Sequence, residues 1–245
     1  MNEELEFRSD VTVELVRAQA SDQDVLYSAR VSTLGEQTLE TAESDRAEEV
    51  LGKRDLGLIN FLMRDRHGTP FEHNSMTFYV QAPIFVFREF QRHRMASYNE
   101  ESGRYRQLRP VFYIPDSERM LVQEGRPGKY EFRPGSADQH QTVDTEIRAQ
   151  SAAAYASYER MLDAGVAREV ARMVLPLNIY SSMYVTMNSR SLMNFLSLRT
   201  KRDDSTFPSF PQREIEMCAE RMEAIWKDLM PATSAAFDTN GRVAP

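Results

Sequence analysis

Ser75-Met76-Thr77-Phe78-Tyr79-Val80-Gln81-Ala82-Pro83-Ile84-Phe85-Val86-Phe87-Arg88-Glu89-Phe90-Gln91 changes its hydrophobic period in mid-course. Met76, Phe78 and Val80 alternate, as in a strand with one face on a core. That strand must stop near Pro83, which has no N–H to give to a sheet ladder. Proline also carries the φ that the first turn of a helix needs. Ile84, Phe87, Phe90 and Gln91 then recur at helical spacing. The helix delivers Arg92-His93-Arg94 at its C-terminal end, where the dipole favours cations.

Upstream, Val11, Val13 and Leu15 alternate within 8–20 and predict a strand, and Asp22 to Ser32 predicts a helix with Val25, Leu26 and Ala29 on one face. Residues 33–47 are acidic and weakly patterned, a surface excursion read as loop or poorly ordered helix. Leu56, Ile59, Leu62 and Met63 have helical spacing, and His67-Gly68-Thr69-Pro70 is a turn. Downstream, 95–109 reads as a polar loop and Val111 to Ile114 as a short strand ended by Pro115. The Gly- and Pro-bearing stretch 116–139 reads as an irregular surface excursion. Helices are expected over Thr142–Leu162, stopped at Gly165, and over Ala167–Leu175, broken by Pro176. Ile179 to Met187 predicts a strand and Ser191 to Leu198 a helix. A charged loop (200–211) precedes a closing amphipathic helix, Gln212–Leu229. No repeat occurs. The mixture predicts an α+β fold with a mainly antiparallel sheet, in one compact domain spanning 1–245.

Composition bounds the function. Of the 245 residues, 41% are hydrophobic and 27% charged, as in soluble globular proteins. No apolar run approaches the roughly 20 residues that span a bilayer, so no membrane partner is expected. The N-terminus lacks the blocks of a secretory signal. Cys218 is the only cysteine, so no internal disulfide can form, and a reducing, cytoplasmic setting is expected. A net charge of −7 argues against broad nucleic-acid binding. The basic residues are lopsided: 26 of the 30 are Arg. Guanidinium forks in an acidic protein suit a compact anion better than a polyanion.

The chemistry concentrates in Arg92-His93-Arg94-Met95-Ala96-Ser97-Tyr98-Asn99-Glu100-Glu101-Ser102-Gly103-Arg104-Tyr105. Arg92 and Arg94 diverge on a continuing helix, so only a helix end or loop can turn both to one ligand. Such a site suits a pyrophosphate or two phosphates through charge-assisted hydrogen bonds. Gly103 lets backbone approach an anion held by Arg104. Two alternatives stay open: a solvated face on which the arginines pair with Glu100 and Glu101, and a single-stranded nucleic-acid surface in which Tyr98, Tyr105 and Tyr113 stack bases. The net acidity weighs against the second.

This run resembles the signature of the flavin-dependent thymidylate synthases: Arg-His-Arg, seven residues, Ser, then Arg-Tyr. Further blocks resemble the same family in the same order: His67 to His73, Arg168 to Arg172 with Leu175-Pro176-Leu177-Asn178, and Asn188 to Phe195 with Leu198-Arg199. The resemblance implies conversion of dUMP to dTMP by a homotetramer whose sites draw on several subunits. It implies FAD as cofactor, with methylenetetrahydrofolate as one-carbon donor and NADPH as reductant. Thr69, Arg92, His93, Arg94, Glu100, Asn188, Ser189, Arg190 and Asn194 would hold FAD, with His67 near the flavin. Glu89, Phe90, Gln91, Arg92, Glu100, Glu101, Ser102, Gly103, Arg104, Arg172 and Arg199 would hold dUMP. Arg199 takes the catalytic part, assisting ionisation of the uracil at N3. Ser32, after Ala29-Arg30-Val31, also resembles a family segment. The family pattern breaks at Thr200–Pro211, which is longer and lacks a histidine, while Phe207 and Phe210 could stack on a flavin or pterin ring or simply anchor the loop.

Making uracil C5 nucleophilic can go through attack on C6 by a thiolate. Cys218 lies among Glu214, Glu216 and Glu220, whose charge disfavours a thiolate. A buried core role suits it better. The electrostatic alternative places a guanidinium beside the pyrimidine; a salt bridge from Arg199 to Asp203 or Asp204 is its competitor. Ser102 has no identifiable base and is expected to position substrate. His67, His73 and His93 with Glu72 lack metal-ligand spacing, so no metal is expected.

Overall fold

The computed structural model describes residues 4–39, 51–126 and 129–245. In chain order the first elements are β1 (Glu6–Arg8), β2 (Thr12–Gln19), α1 (Asp22–Leu34), α2 (Lys53–Arg64), a 3-10 turn (Thr69–Glu72), β3 (Ser75–Pro83) and α3 (Ile84–Phe90). Then come β4 (Ser97–Glu100), β5 (Val111–Tyr113), β6 (Met120–Arg126), β7 (Lys129–Pro134), α4 (Ala137–Asp163) and α5 (Arg168–Ala171). A 3-10 turn (Arg172–Val174), β8 (Tyr180–Met187), α6 (Ser189–Arg199), α7 (Arg213–Leu229) and α8 (Pro231–Thr239) follow. The strand order is β2-β3-β8-β4 in a four-stranded sheet; β1 pairs with β5 in parallel, and β6 with β7 antiparallel. Interspersed helices and sheet make the fold α+β. The period change at Pro83 is realised: β3 ends on the proline, which serves as N-cap of α3.

The chain divides into two compact units: one takes the residues through Thr12, Val80–Arg92 and Asn99–Met183; the other takes Val13–Tyr79, His93–Tyr98 and Tyr184–Pro245. The first unit packs Leu108, Phe112, Tyr155, Tyr158, Ala171 and Ile179 into one cluster. Both tyrosines of α4 bury their rings and satisfy their hydroxyls on one residue: Tyr155 donates to the Leu108 carbonyl at 2.9 Å, and Tyr158 accepts the Leu108 N–H at 3.3 Å. Ser136 and Gln139 close a capping box. The helix accordingly starts at Ala137, ahead of the expected Thr142. Residues 95–109 are not wholly loop, since Ser97–Glu100 joins the sheet edge as β4. Nor is 116–139 irregular throughout its described residues. Gly125 takes φ 95° at the end of β6, Pro134 closes β7, and the pair between them is an ordered antiparallel ribbon. The expected helix over 167–175 holds its α form only over Arg168–Ala171 before tightening.

In the second unit α7 carries the buried face Ile215, Cys218, Ala219, Met222 and Trp226. Trp226 meets Phe237 edge-on, with ring centroids 5.9 Å apart; Phe237 belongs to α8, which lies beyond the closing helix expected over Gln212–Leu229. Removing a buried Trp costs about 3–5 kcal/mol. Ser21 caps α1 by accepting the Asp24 N–H. Asp22, in the first turn of α1, accepts the N–H groups of Ala232 and Thr233, each at 2.8 Å, and the Thr233 hydroxyl at 2.6 Å. Of the excursion expected over 33–47, residues 40–47 lie outside the described residues. Among the described residues, no helix is long and apolar enough to cross a membrane.

Candidate functional site

In the second unit a cavity of about 200 Å³ is lined by His93, Arg94, Met95, Met187, Ser191 and Asn194. The chain segment after α3 and the exposed side of α6 supply it. Asn188 starts α6 by accepting the Ser191 N–H at 2.9 Å, so its side-chain oxygen serves as a helix cap. Ser189 turns inward: it is fully buried, its hydroxyl and N–H both reaching Asn74 Oδ1 at 2.9 and 2.8 Å. Asn194 sends its amide N–H back to the Arg190 carbonyl at 3.1 Å. Arg190 donates to Glu72 at 2.5 Å and to the Pro245 carbonyl at 2.6 Å. Gly68 lies against that guanidinium, because a Cβ there would stand 2.6 Å from Arg190 Cζ.

His93 is the centre of this side. Its ring packs edge-on against Phe195, with centroids 4.8 Å apart, and its Nε2 accepts the Nε–H of Arg199 at 3.0 Å. Arginine has only donors, so the imidazole is neutral with its proton on Nδ1. Burial and then the Arg199 charge push the ring pKa down to about 4. The Tyr98 hydroxyl donates to the His93 carbonyl at 2.8 Å, and burial raises that phenol to about 12. Arg199, expected beside the pyrimidine, therefore meets His93.

Thr69, His67 and Ser32 border a separate groove of about 890 Å³ in the same unit, with Phe61 and Arg66. His67 stands edge-on to Phe61, with centroids 5.4 Å apart. Among the described residues, no group of three or more His, Cys, Asp or Glu is placed to hold a metal ion.

The first unit holds a second cavity, about 260 Å³, lined by Glu100, Glu101, Gly103, Glu169, Arg172 and Ser181 among others. The family-expected residues Glu100, Glu101, Gly103 and Arg172 thus come together on one surface. Gly103 permits this closeness, as a Cβ there would press to 3.3 Å from Arg172 Cδ. Burial raises the Glu100 pKa against the hydrogen bond from Ser181 and the charge of Arg172, and neighbouring Glu101 adds to the rise. Glu101 accepts from Ser182 at 3.3 Å and from Arg106 at 3.1 Å. Arg104 faces outward and pairs with Glu169 at 3.0 Å. The Ser102 hydroxyl accepts the Arg104 N–H at 3.3 Å, a turn bond rather than the activation of a nucleophile. Glu89 lies near the end of α3, while Phe90 is fully buried in the core. Gln91 and Arg92 are exposed just beyond that helix.

Cys218 has no exposed surface, and burial pushes its thiol up to about 12. It is a core residue. Sequence reasoning missed Asn74, Phe195, Thr200 and Arg242, whose roles come from packing partners far along the chain.

A neutral imidazole clamped by a guanidinium, and carboxylates gathered with an arginine, define an α+β protein suited to nucleotide ligands. The model of the family described as "Thymidylate synthase complementing protein" matches residues 14–232. The chain is 63% identical to the flavin-dependent thymidylate synthase of Streptomyces coelicolor, covering 98% of this chain and 96% of that one. It is 62% identical to the enzyme of the same name from Tropheryma whipplei, covering 98% and 97%. The crystal structure of a UMP/dUMP methylase, PolB from Streptomyces cacaoi bound with 5-Br UMP, superposes with a TM-score of 0.89 at 52% identity, covering 99% of this chain and 100% of that one. This chain belongs to the thymidylate synthase complementing protein family, the flavin-dependent thymidylate synthases.

Proposed function

We propose that this chain converts dUMP to dTMP, taking the one-carbon unit from methylenetetrahydrofolate and reducing equivalents from NADPH through FAD. Family membership along nearly the whole chain carries the reading. Both units work as one functional domain.

The residues fit the cofactor. Arg94 and Asn194 bring a guanidinium and an amide to a cavity also lined by Met95 and Met187, a donor set matched to an anionic, partly aromatic ligand. Thr69, Arg92, His93, Arg94, Glu100, Asn188, Arg190 and Asn194 hold FAD, with Ser189 supporting from the core. FAD, when bound, supplies the hydride. Glu89, Gln91, Arg92, Glu100, Glu101, Ser102, Gly103, Arg104 and Arg172 hold dUMP, with Phe90 as buried support. Arg199, steadied through Nε by His93, directs its terminal nitrogens to the uracil and favours loss of its N3 proton. The neutral His93 adds no competing positive charge.

The working form is a homotetramer. The cavities of about 200 and 260 Å³ fall below the roughly 300–1,000 Å³ of small-molecule sites, which supports their completion by other copies. Met95 and Met173, on the rims of these two cavities, are 78% and 76% exposed, which suits burial against another copy. A buried, unpaired thiol suits the cytoplasm.

The test is turnover. Purified protein should be yellow and should form dTMP from dUMP with methylenetetrahydrofolate while oxidising NADPH. A flavin-loaded preparation without dTMP formation would leave only an inert binder. UMP should be tried beside dUMP, given the UMP/dUMP methylase with which the fold superposes.

A further inference from the structure

We propose that Arg242 is a positioning residue for Arg199, acting through Thr200 at the end of α6. The inference rests on the reading of Arg199 given above. Arg242 is 3% exposed. Its Nη2 donates to Thr200 Oγ1 at 3.1 Å, while Nη1 donates to Glu223 at 2.8 Å and also to Asp238. Thr200 is itself buried and ends the helix, its N–H and hydroxyl both reaching the Leu196 carbonyl, at 3.0 and 2.7 Å. Arg199 is the residue immediately before it. Last turns of helices fray readily. A guanidinium locked onto Thr200 holds the final turn closed, so the long Arg199 side chain starts from a fixed point when it reaches His93.

The surroundings favour positioning over plain stability. Arg242 holds a left-handed φ of 57°, costly for a residue with a Cβ, and its buried Nε finds no partner. Buried ion pairs are poor stabilisers relative to apolar packing but can fix one geometry among several. Burial alone would raise the Glu223 pKa, yet the hydrogen bond and charge of Arg242, aided by Lys227, hold it below the usual carboxylate value. The same carboxylate receives Arg202 at 3.2 Å, and the Gly241 carbonyl receives the Thr206 N–H at 2.9 Å. The loop that departs from the family pattern is thus tied down at Thr200, Arg202 and Thr206, and the tie runs through the segment that carries Arg242.

Thr200→Val removes the hydroxyl that receives Arg242 and leaves the Arg242–Glu223 pair intact. We expect kcat to fall about tenfold or more, as small misplacements of a reacting group do, with flavin content unchanged. Thr200→Ser should restore it. Nitrogen NMR of labelled histidine supplies a readout independent of turnover: Arg199 donation fixes the Nδ1–H tautomer of His93, and the variant should mix the two tautomers. Wild-type kcat together with an unmixed His93 in folded Thr200→Val would overturn the proposal. Should that variant fail to fold, Arg242→Lys, which keeps the charge but loses the fork, decides on the same two readouts. An Arg199→Ala control separates the layers: retained dTMP formation there sinks the role of Arg199 itself, whereas a dead Arg199→Ala beside a fully active Thr200→Val sinks only the positioning.

Discussion

Replacing Cys218 by Ala separates the electrostatic route from a thiolate route, and the structure sets the size of each effect. The thiol is fully buried, and its pKa is pushed up to about 12. At pH 8 only about one molecule in 10,000 would carry the thiolate. The variant should therefore form dTMP at the wild-type rate. Losing one buried heavy atom should cost about 1 kcal/mol near pH 7. The pH dependence gives a sharper signature. The folded-state pKa lies above the ordinary value of 9.0, so the stability held by the neutral thiol is present below pH 9 and lost as pH rises toward 12. At pH 10 the wild type has given up on the order of 1 kcal/mol that the Ala variant never had. The two stabilities, read from urea unfolding, should converge as pH rises above 9. A folded, flavin-loaded Cys218→Ala protein without dTMP formation would restore the thiolate route. A stability gap that stays constant from pH 7 to pH 10 would show that the thiol titrates normally.

Arg199→Ala should abolish dTMP formation while flavin absorbance and helix content persist; normal turnover would remove Arg199 from the chemistry. Because the folded-state pKa of His93 is depressed to about 4, its contribution is present above pH 6.5 and fades as pH falls toward 4. His93→Asn should consequently flatten the loss of stability across that window, and an unaltered acid limb would show that His93 does not drive it. Gly241→Ala combines a φ of 72° with a Cβ 2.0 Å from Thr206 Oγ1. It should cost at least about 1–3 kcal/mol and loosen the 200–211 loop to proteolysis; an unchanged melting temperature and digestion pattern would refute the clash.

Much of this molecule could be read in one dimension, for identifiable reasons. Pro83 marks a strand-to-helix change because it fails in a ladder and suits a helix start, both local properties. Glu100, Glu101 and Gly103 lie together in sequence, and Arg172 joins them in one cavity. What stayed hidden depends on partners far away. Glu6–Arg8 is a strand only because Val111–Tyr113 lies alongside it. Ser97–Glu100 is polar and mostly exposed, so it carries no alternation, yet the sheet edge accepts it. The ribbon after Pro115 is half-exposed, and its Gly and Pro resemble loop punctuation. Ser189 sits in a family block among half-buried polar neighbours, and only its bonds to Asn74 reveal that it faces inward. Arg242 follows a glycine near the tail, and nothing local announces that it reaches Thr200.

Asp22 receives donors from Ala232 and Thr233. A latch between positions so distant cannot close while the chain is still emerging from the ribosome. The first long helix must wait, its acidic end unclasped, until Ala232 and Thr233 have been made. Closure of that clasp therefore comes after every element of the second unit from α1 through α7 has been synthesised.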